Sequence, residues 1–233
     1  MKRQAFRSRN LPRAAPMIRY VCADELARFP RLAATMFRDR AIQFSHRLRW
    51  EVSVDDIGAE RDQYDALNPI YAIWQRPDGS HGGSMRILPT TGRTMVNEHF
   101  RHLNGGVEIS TPLVWECTRF CLAPSAMRNP REAALIPAAL MLAGCELGLR
   151  FGLTHAVGVF DARMIRIYRS LGWSPEILGR EGTGRSAVAV GLWPVDDASR
   201  RAIAARSGLP ARIAAEWFEL SFPETNMAAI AAE

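Results

Sequence analysis

The run Leu113–Leu122, LVWECTRFCL, restricts this chain more than any other stretch. Its aliphatic, aromatic and small residues read as a buried strand, yet it carries Glu116 and Arg119. A charge buried without a partner is strongly unfavourable, so the fold must bring compensating groups to this strand from elsewhere. Strand alternation sends positions 116 and 119 to opposite faces. A β-bulge between them puts both on one face. Buried ion pairs are seldom kept for stability alone. A functional cleft is therefore the favoured reading, with a structural ion-pair network as the alternative.

Candidate partners lie in two earlier segments. A long helix, capped by Asp24 and running to about Arg47, is expected from the stripe Leu26, Phe29, Ala33, Met36, Phe37, Phe44 and Leu48. Arg40 falls in the middle of that stripe, with Phe44 one turn on and Trp50 beyond. Asp62 and Asp65 follow in the polar, irregular segment 51–69. Arg86 sits on the expected strand Gly83–Leu88, which pairs with Pro69–Trp74 through the Pro-Asp-Gly turn at 77–79.

The remaining pattern interleaves strands and helices. Met17–Cys22, Thr154–Phe160 and Ser186–Trp193 read as strands. Thr94–Leu103 reads as a short helix, and Ala162–Leu171 as another, ended by Gly172. A helix lies within Arg131–Arg150, where Pro137 kinks it or marks its start. Two helices close the chain. The expectation is one α/β domain over 17–233, after a basic, Pro-containing segment 1–16 expected to be disordered.

Charge and composition remove several function classes. The formal net charge is +6, carried almost wholly by arginine. That balance fits either codon usage or an acidic partner. A basic nucleic-acid binder leaves Arg40, Glu116 and Arg119 unexplained, so no nucleic acid is expected. The apolar run Ala133–Cys145 is short for a bilayer and contains Pro137, and residues 1–16 hold no apolar signal core. The expected compartment is the cytoplasm, without a membrane partner. The four cysteines lack zinc-knuckle spacing and read as reduced structural thiols. The five histidines form no metal pattern. No Ser-His-Asp signature and no Walker-type phosphate loop is present.

Taken in order, Arg40-x3-Phe44-x5-Trp50, Asp62-x2-Asp65, Gly83-x2-Arg86-x2-Pro89-Thr90 and Trp115-Glu116-x2-Arg119-Phe120 resemble the N-acyl-homoserine lactone synthases, the autoinducer synthases of bacterial quorum sensing. The resemblance runs from about Met17 to about Arg180, and eight positions match the family's set: Arg40, Phe44, Trp50, Asp62, Asp65, Arg86, Glu116 and Arg119. It implies a GNAT-like acyltransferase fold. There a mixed sheet flanked by helices splays between two central strands, here Leu113–Leu122 and Thr154–Phe160. It implies that the amine of S-adenosylmethionine attacks an acyl thioester, and that lactone closure then releases methylthioadenosine. S-adenosylmethionine is a substrate, and no cofactor is implied. A GNAT-like enzyme acylating another amine is the runner-up.

The resemblance also suggests roles. Glu116 is the candidate base; Asp62 and Asp65 hold the cationic substrate; Arg86 and Arg119, with Arg40, orient the carboxylates or bind the substrate's own. Phe44, Trp50 and Phe120 complete the S-adenosylmethionine site, and backbone N–H groups near Phe120–Leu122 would form an oxyanion hole. The acyl pocket is expected from Met141, Cys145, Val157, Gly158, Val159, Met164, Ile167 and Tyr168, residue types that serve equally as ordinary core. Gly158 offers no hydroxyl where 3-oxo-acyl synthases tend to carry Thr, which predicts an unsubstituted chain. A Gly- and Arg-rich pyrophosphate loop is not evident in 124–132, which fits an acyl carrier protein better than a typical acetyl-CoA enzyme; some members of the resembled family use acyl-CoA, so both donors stay open. The basic helix around Arg163, Arg166 and Arg169, with Arg150 nearby, reads either as a solvated helix face or as a dock for an acidic carrier protein.

Overall fold

The computed structural model describes residues 17–184 and 187–223. The segment 1–16, expected to be disordered, lies outside the described residues, as does Ser186, expected to open a strand. Seven strands form one mixed sheet in the order β1-β2-β3-β4-β5-β7-β6. They are β1 (Met17–Cys22), β2 (Ile70–Gln75), β3 (His81–Pro89), β4 (Val114–Leu122), β5 (His155–Asp161), β6 (Glu176–Glu181) and β7 (Val188–Pro194). All neighbours are antiparallel except β4 and β5, which run parallel. The helices are α1 (Pro30–Ala41), α2 (Met95–His99), α3 (Pro124–Met127), α4 (Pro130–Arg150), α5 (Met164–Leu171), α6 (Asp197–Ser207) and α7 (Ala211–Ser221).

Alternation along the strands supplies both faces of the sheet with apolar side chains. In β2, Ile70, Ala72 and Trp74 join the core with α4, while Tyr71 and Ile73 join the core with α1. Helices therefore cover both faces, as in α/β proteins generally. Asn129 caps α4, its side chain accepting from the N–H groups of Arg131 and Glu132. Buried against the sheet, α6 and α7, this helix is apolar on most sides. It extends past the run Ala133–Cys145 at both ends and is long and apolar enough to cross a bilayer, but most of it is packed inside the protein.

Four local expectations change. Asp24 caps no long helix: it lies in a 3-10 turn, Ala23–Arg28, and the chain leaves helical geometry at Phe29 before Pro30 opens α1. Proline at the first helical position is pre-set for that role, and the continuous apolar stripe hid the break. After α1 the chain widens into a π-helix, Ile42–Arg47. Pro137 sits inside α4 without ending it, because Asn129 and Pro130 set the start and burial holds the rest. The expected helix 94–103 splits at Phe100 into α2 and a 3-10 turn, Arg101–Asn104. The unforeseen β6 is a mostly exposed edge strand, so its residues carry no apolar alternation.

Candidate active site

The β3–β4 register explains how a glutamate and an arginine three residues apart serve one face. Ser84 pairs with Cys121 and Arg86 with Thr118, so two β4 residues, Arg119 and Phe120, stand opposite Met85. Arg119 takes a left-handed conformation at φ 51°. This is a β-bulge, and it turns the Arg119 side chain onto the Arg86 side of the sheet.

There three guanidinium groups and three carboxylates close a ring. Arg40 binds Asp65 with both terminal nitrogens, at 3.0 and 2.9 Å, and Glu60 through Nε at 2.6 Å. Glu60 also accepts from Arg119, at 3.1 Å from Nε and 3.0 Å from Nη2. Arg119 Nη2 lies 2.6 Å from Asp62. Asp62 is paired through both oxygens with Arg86, whose Nη1 also reaches Asp65 at 2.9 Å. Each carboxylate thus bridges two arginines. Tyr71 donates to Asp65 at 2.6 Å, and Arg86 Nε donates to Thr118 at 3.0 Å. Burial alone would raise Asp62 and Asp65; the hydrogen bonds and charges of the arginines outweigh it and hold both well below the usual carboxylate range.

Glu116 stands apart from the ring. It is fully buried, and its two oxygens accept from the backbone N–H groups of Met95 (3.0 Å) and Val96 (2.6 Å). Thr94 occupies the capping position of α2, yet its hydroxyl caps nothing and has no partner. A carboxylate from β4 therefore caps α2 in its place. Burial pushes Glu116 up to about 7, against the lowering effect of the two amides.

β4 and β5 pair only at Val114–His155, Trp115–Ala156 and Glu116–Val157. Beyond those pairs the strands part, and a cavity of about 760 Å³ opens between Cys117–Phe120 and Gly158–Asp161. One part of its wall carries Gln43, Phe44, Arg47, Trp50 and Asp62; another carries Met85, Met141, Gly144, Tyr168, Trp173 and Trp193. Trp50 is half-exposed and stacks on Phe44 with ring centroids 5.2 Å apart, while the Arg119 guanidinium lies 5.3 Å from the Phe44 ring. Among the described residues, Arg119 Nη1 meets only the weak acceptor Met95 Sδ, at 4.0 Å.

Of the residues singled out from sequence, Phe44, Trp50, Asp62, Arg119 and Phe120 reach the cavity wall, as do Met141, Gly158, Val159, Met164 and Tyr168. Arg40, Asp65, Arg86 and Glu116 stand behind it. Cys145 points away, its thiol 3.8 Å from the Asp196 carbonyl. Val157 packs on the opposite face with Val96, Leu103 and Val190, and Ile167 is exposed on α5. Glu60 escaped the sequence reading. Its signal was a charge count: Arg40, Arg86 and Arg119 outnumber Asp62 and Asp65 by one. Asp39, His81 and Ser84 do form a hydrogen-bonded chain, at 2.8 and 3.0 Å, but none of them lines the cavity, and the chain ties α1 to β3. No group of potential metal ligands occurs among the described residues.

Residues 27–203 match the family model described as autoinducer synthase. The chain is 41% identical to an acyl-homoserine-lactone synthase of Rhizobium etli over 181 residues, 77% of this chain and 84% of that protein. It is 33% identical to an acyl-homoserine-lactone synthase of Agrobacterium fabrum, over 77% and 86% of the two chains. Among solved structures, the CoA-dependent acyl-homoserine lactone synthase BjaI superposes with a TM-score of 0.73 at 23% identity, covering 84% of this chain and 91% of that one. The synthase LasI gives 0.69 at 26% identity, covering 82% and 95%.

Proposed function

The chain belongs to the autoinducer synthase family, and on that premise we propose how its cavity carries out acyl-homoserine-lactone synthesis. The amine of S-adenosylmethionine attacks the carbonyl of an acyl thioester, the carbon–sulfur bond breaks, and the carrier thiol leaves. The methionyl carboxylate then attacks the carbon next to the sulfonium. That carbon–sulfur bond breaks, releasing methylthioadenosine and closing the lactone.

The single observation behind this reading is the closed ring of Arg40, Arg86, Arg119, Glu60, Asp62 and Asp65, which presents Asp62 and Arg119 to the gap between parallel strands. The ring is neutral in sum, and each member is held between two groups of opposite charge. Asp62, which lines the cavity, faces the cationic substrate. Arg119 offers Nη1 to the substrate carboxylate. The paired rings of Phe44 and Trp50 offer a face to the sulfonium or adenine.

The attacking amine must lose a proton. An α-amine has a pKa near 8, and Glu116, held at about 7, is the carboxylate best matched to take that proton. Its position behind the wall calls for a water between them. Past Glu116 no β5 residue pairs with β4, which leaves that edge available to the thioester oxygen.

The donor is an acyl thioester, and an acyl carrier protein is the better fit. Where a CoA pyrophosphate would meet the start of α4, the Asn129 side chain already takes two N–H groups and Pro130 has none. Arg166 and Arg169 on α5, and Arg163 just before it, are exposed for an acidic carrier, although Arg163 also pairs with Asp161 at 2.8 Å. The proposed compartment is the cytoplasm.

The test is mass spectrometry of organic extracts from a host expressing the chain or Glu116→Gln. Acyl-homoserine lactones from the wild type, reduced by orders of magnitude in the variant, are expected. In vitro, wild-type turnover should rise with pH through about 7 and again near 8, the variant keeping only the second rise. No lactone from soluble protein supplied with S-adenosylmethionine and donors of several lengths would favour an acyltransferase acting on another amine.

A further inference from the structure

In the apolar part of the cavity, the Tyr168 hydroxyl has no protein partner among the described residues. Tyr168 is 6% exposed, and its ring packs edge-on against Phe160 and Trp193 at 5.2 and 5.0 Å. Its hydroxyl makes no hydrogen bond within the described residues, and it is not among the polar atoms sealed off without a partner. It opens instead on the cavity that Tyr168 lines. Its titratable neighbours are the Cys117 thiol, across the gap on β4, and Asp161. Burial, with those two neighbours, keeps the phenol protonated and so a donor. Both indole N–H groups nearby are taken, that of Trp173 by the Pro194 carbonyl at 2.7 Å and that of Trp193 by the Trp173 carbonyl at 3.2 Å, and the free Cys117 thiol is only a weak donor. Met85, Met141 and Gly144 have none to offer.

A hydroxyl that opens on an apolar cavity is met by water until a ligand displaces it, and a ligand oxygen replaces that hydrogen bond where a methylene does not. We propose that the Tyr168 hydroxyl receives an oxygen of the acyl chain, so that the enzyme takes 3-oxo- or 3-hydroxyacyl donors in preference to unsubstituted ones. The position follows from the register. Cys117 and Gly158 are the first residues past the last β4–β5 pair, where the thioester end enters, so the oxygen that meets Tyr168 lies within the first few carbons. Gly158 alone points to an unsubstituted chain. The structure brings a hydroxyl to the same gap from α5, which no reading of β5 alone reveals. This inference rests on the synthase reading above.

The experiment measures kcat/KM for octanoyl, 3-oxooctanoyl and 3-hydroxyoctanoyl thioesters with the wild type and with Tyr168→Phe. The wild type is expected to favour at least one oxygenated donor by about tenfold, and the variant's ratio to fall to near one. Because each ratio is internal to one protein, a general loss of folding does not change it. A wild-type preference for the octanoyl donor, or an unchanged ratio in Tyr168→Phe, overturns the inference while leaving the synthase reading intact. No lactone from any of the three donors, nor from the same set at other chain lengths, instead counts against the synthase reading.

Discussion

The charged and apolar parts of the cavity wall are held by different physics. Around Asp62, three arginines each sit between two carboxylates at hydrogen-bond distance, so every member depends on two others. Around Met85, Met141, Trp173 and Trp193, the wall is held by packing, and each side chain is one contact among many. Directional charge pairs fail all at once when a partner is lost, whereas packed apolar walls yield by degrees. The proposed reaction centre thus lies in the part that cannot drift, and the proposed choice of acyl chain in the part that can.

The sharpest way to break this contrast is Arg40→Met. It keeps the bulk and leaves Glu60 and Asp65 each short of a partner inside the protein. A loss of about 3–5 kcal/mol is expected, large beside a total of about 5–15, and urea unfolding measures it. The pH dependence follows from the same pairs. Asp62 and Asp65 are depressed in the folded state, so their stabilisation is present above the unfolded value, about 3.9, and is lost as pH falls below it. Arg40→Met should flatten that acid limb. A change below about 1 kcal/mol would mean that the ring is no more cooperative than surface pairs.

Gly158→Ala probes the border between the two parts. An added Cβ would lie 2.9 Å from the Cys117 carbonyl oxygen and 3.4 Å from the Trp193 ring. The carbonyl belongs to β4 and cannot turn aside as a side chain would. A loss of about 1–3 kcal/mol is expected, with a raised KM for the acyl donor and little change in KM for S-adenosylmethionine. Equal effects on both substrates would show that the two parts do not move independently.

The same contrast decided what the sequence disclosed. Glu116 and Arg119 announce themselves because charges are improbable in an apolar strand. Arg40 does so because it interrupts a helical stripe. Glu60 did not, since it lies in a polar segment where another carboxylate is ordinary. The partners of Glu116 are backbone amides of α2, which leave no mark in the residue types. The bulge at Arg119 was one of two geometries the alternation allowed. On the apolar side, Met141 and Tyr168 reach the cavity while Cys145 and Ile167 do not, yet all four are the kinds of residue a core uses. One position of helical phase separates Tyr168 from exposed Ile167, and periodicity has no finer resolution than that.

The smallest effect should come from Gly144→Ala, on the α4 face that lines the cavity. Its Cβ would meet Met85 Cε at 2.6 Å and Sδ at 3.6 Å. Here the obstacle is the far end of a flexible side chain, which can give way. Alanine favours the helix over glycine by about 1 kcal/mol, offsetting most of the repacking, so the unfolding midpoint should barely move. The displaced Met85 narrows the apolar part, and the product should shift toward shorter chains. At about 0.8 kcal/mol per buried methylene, each carbon that no longer fits costs roughly fourfold in relative use. Competition between hexanoyl, octanoyl and decanoyl donors, read by mass spectrometry of the lactones, reports that shift directly. An unchanged product ratio would mean that the acyl chain does not run past Met85, and the apolar part would have to be redrawn around Tyr168 and Trp193 alone.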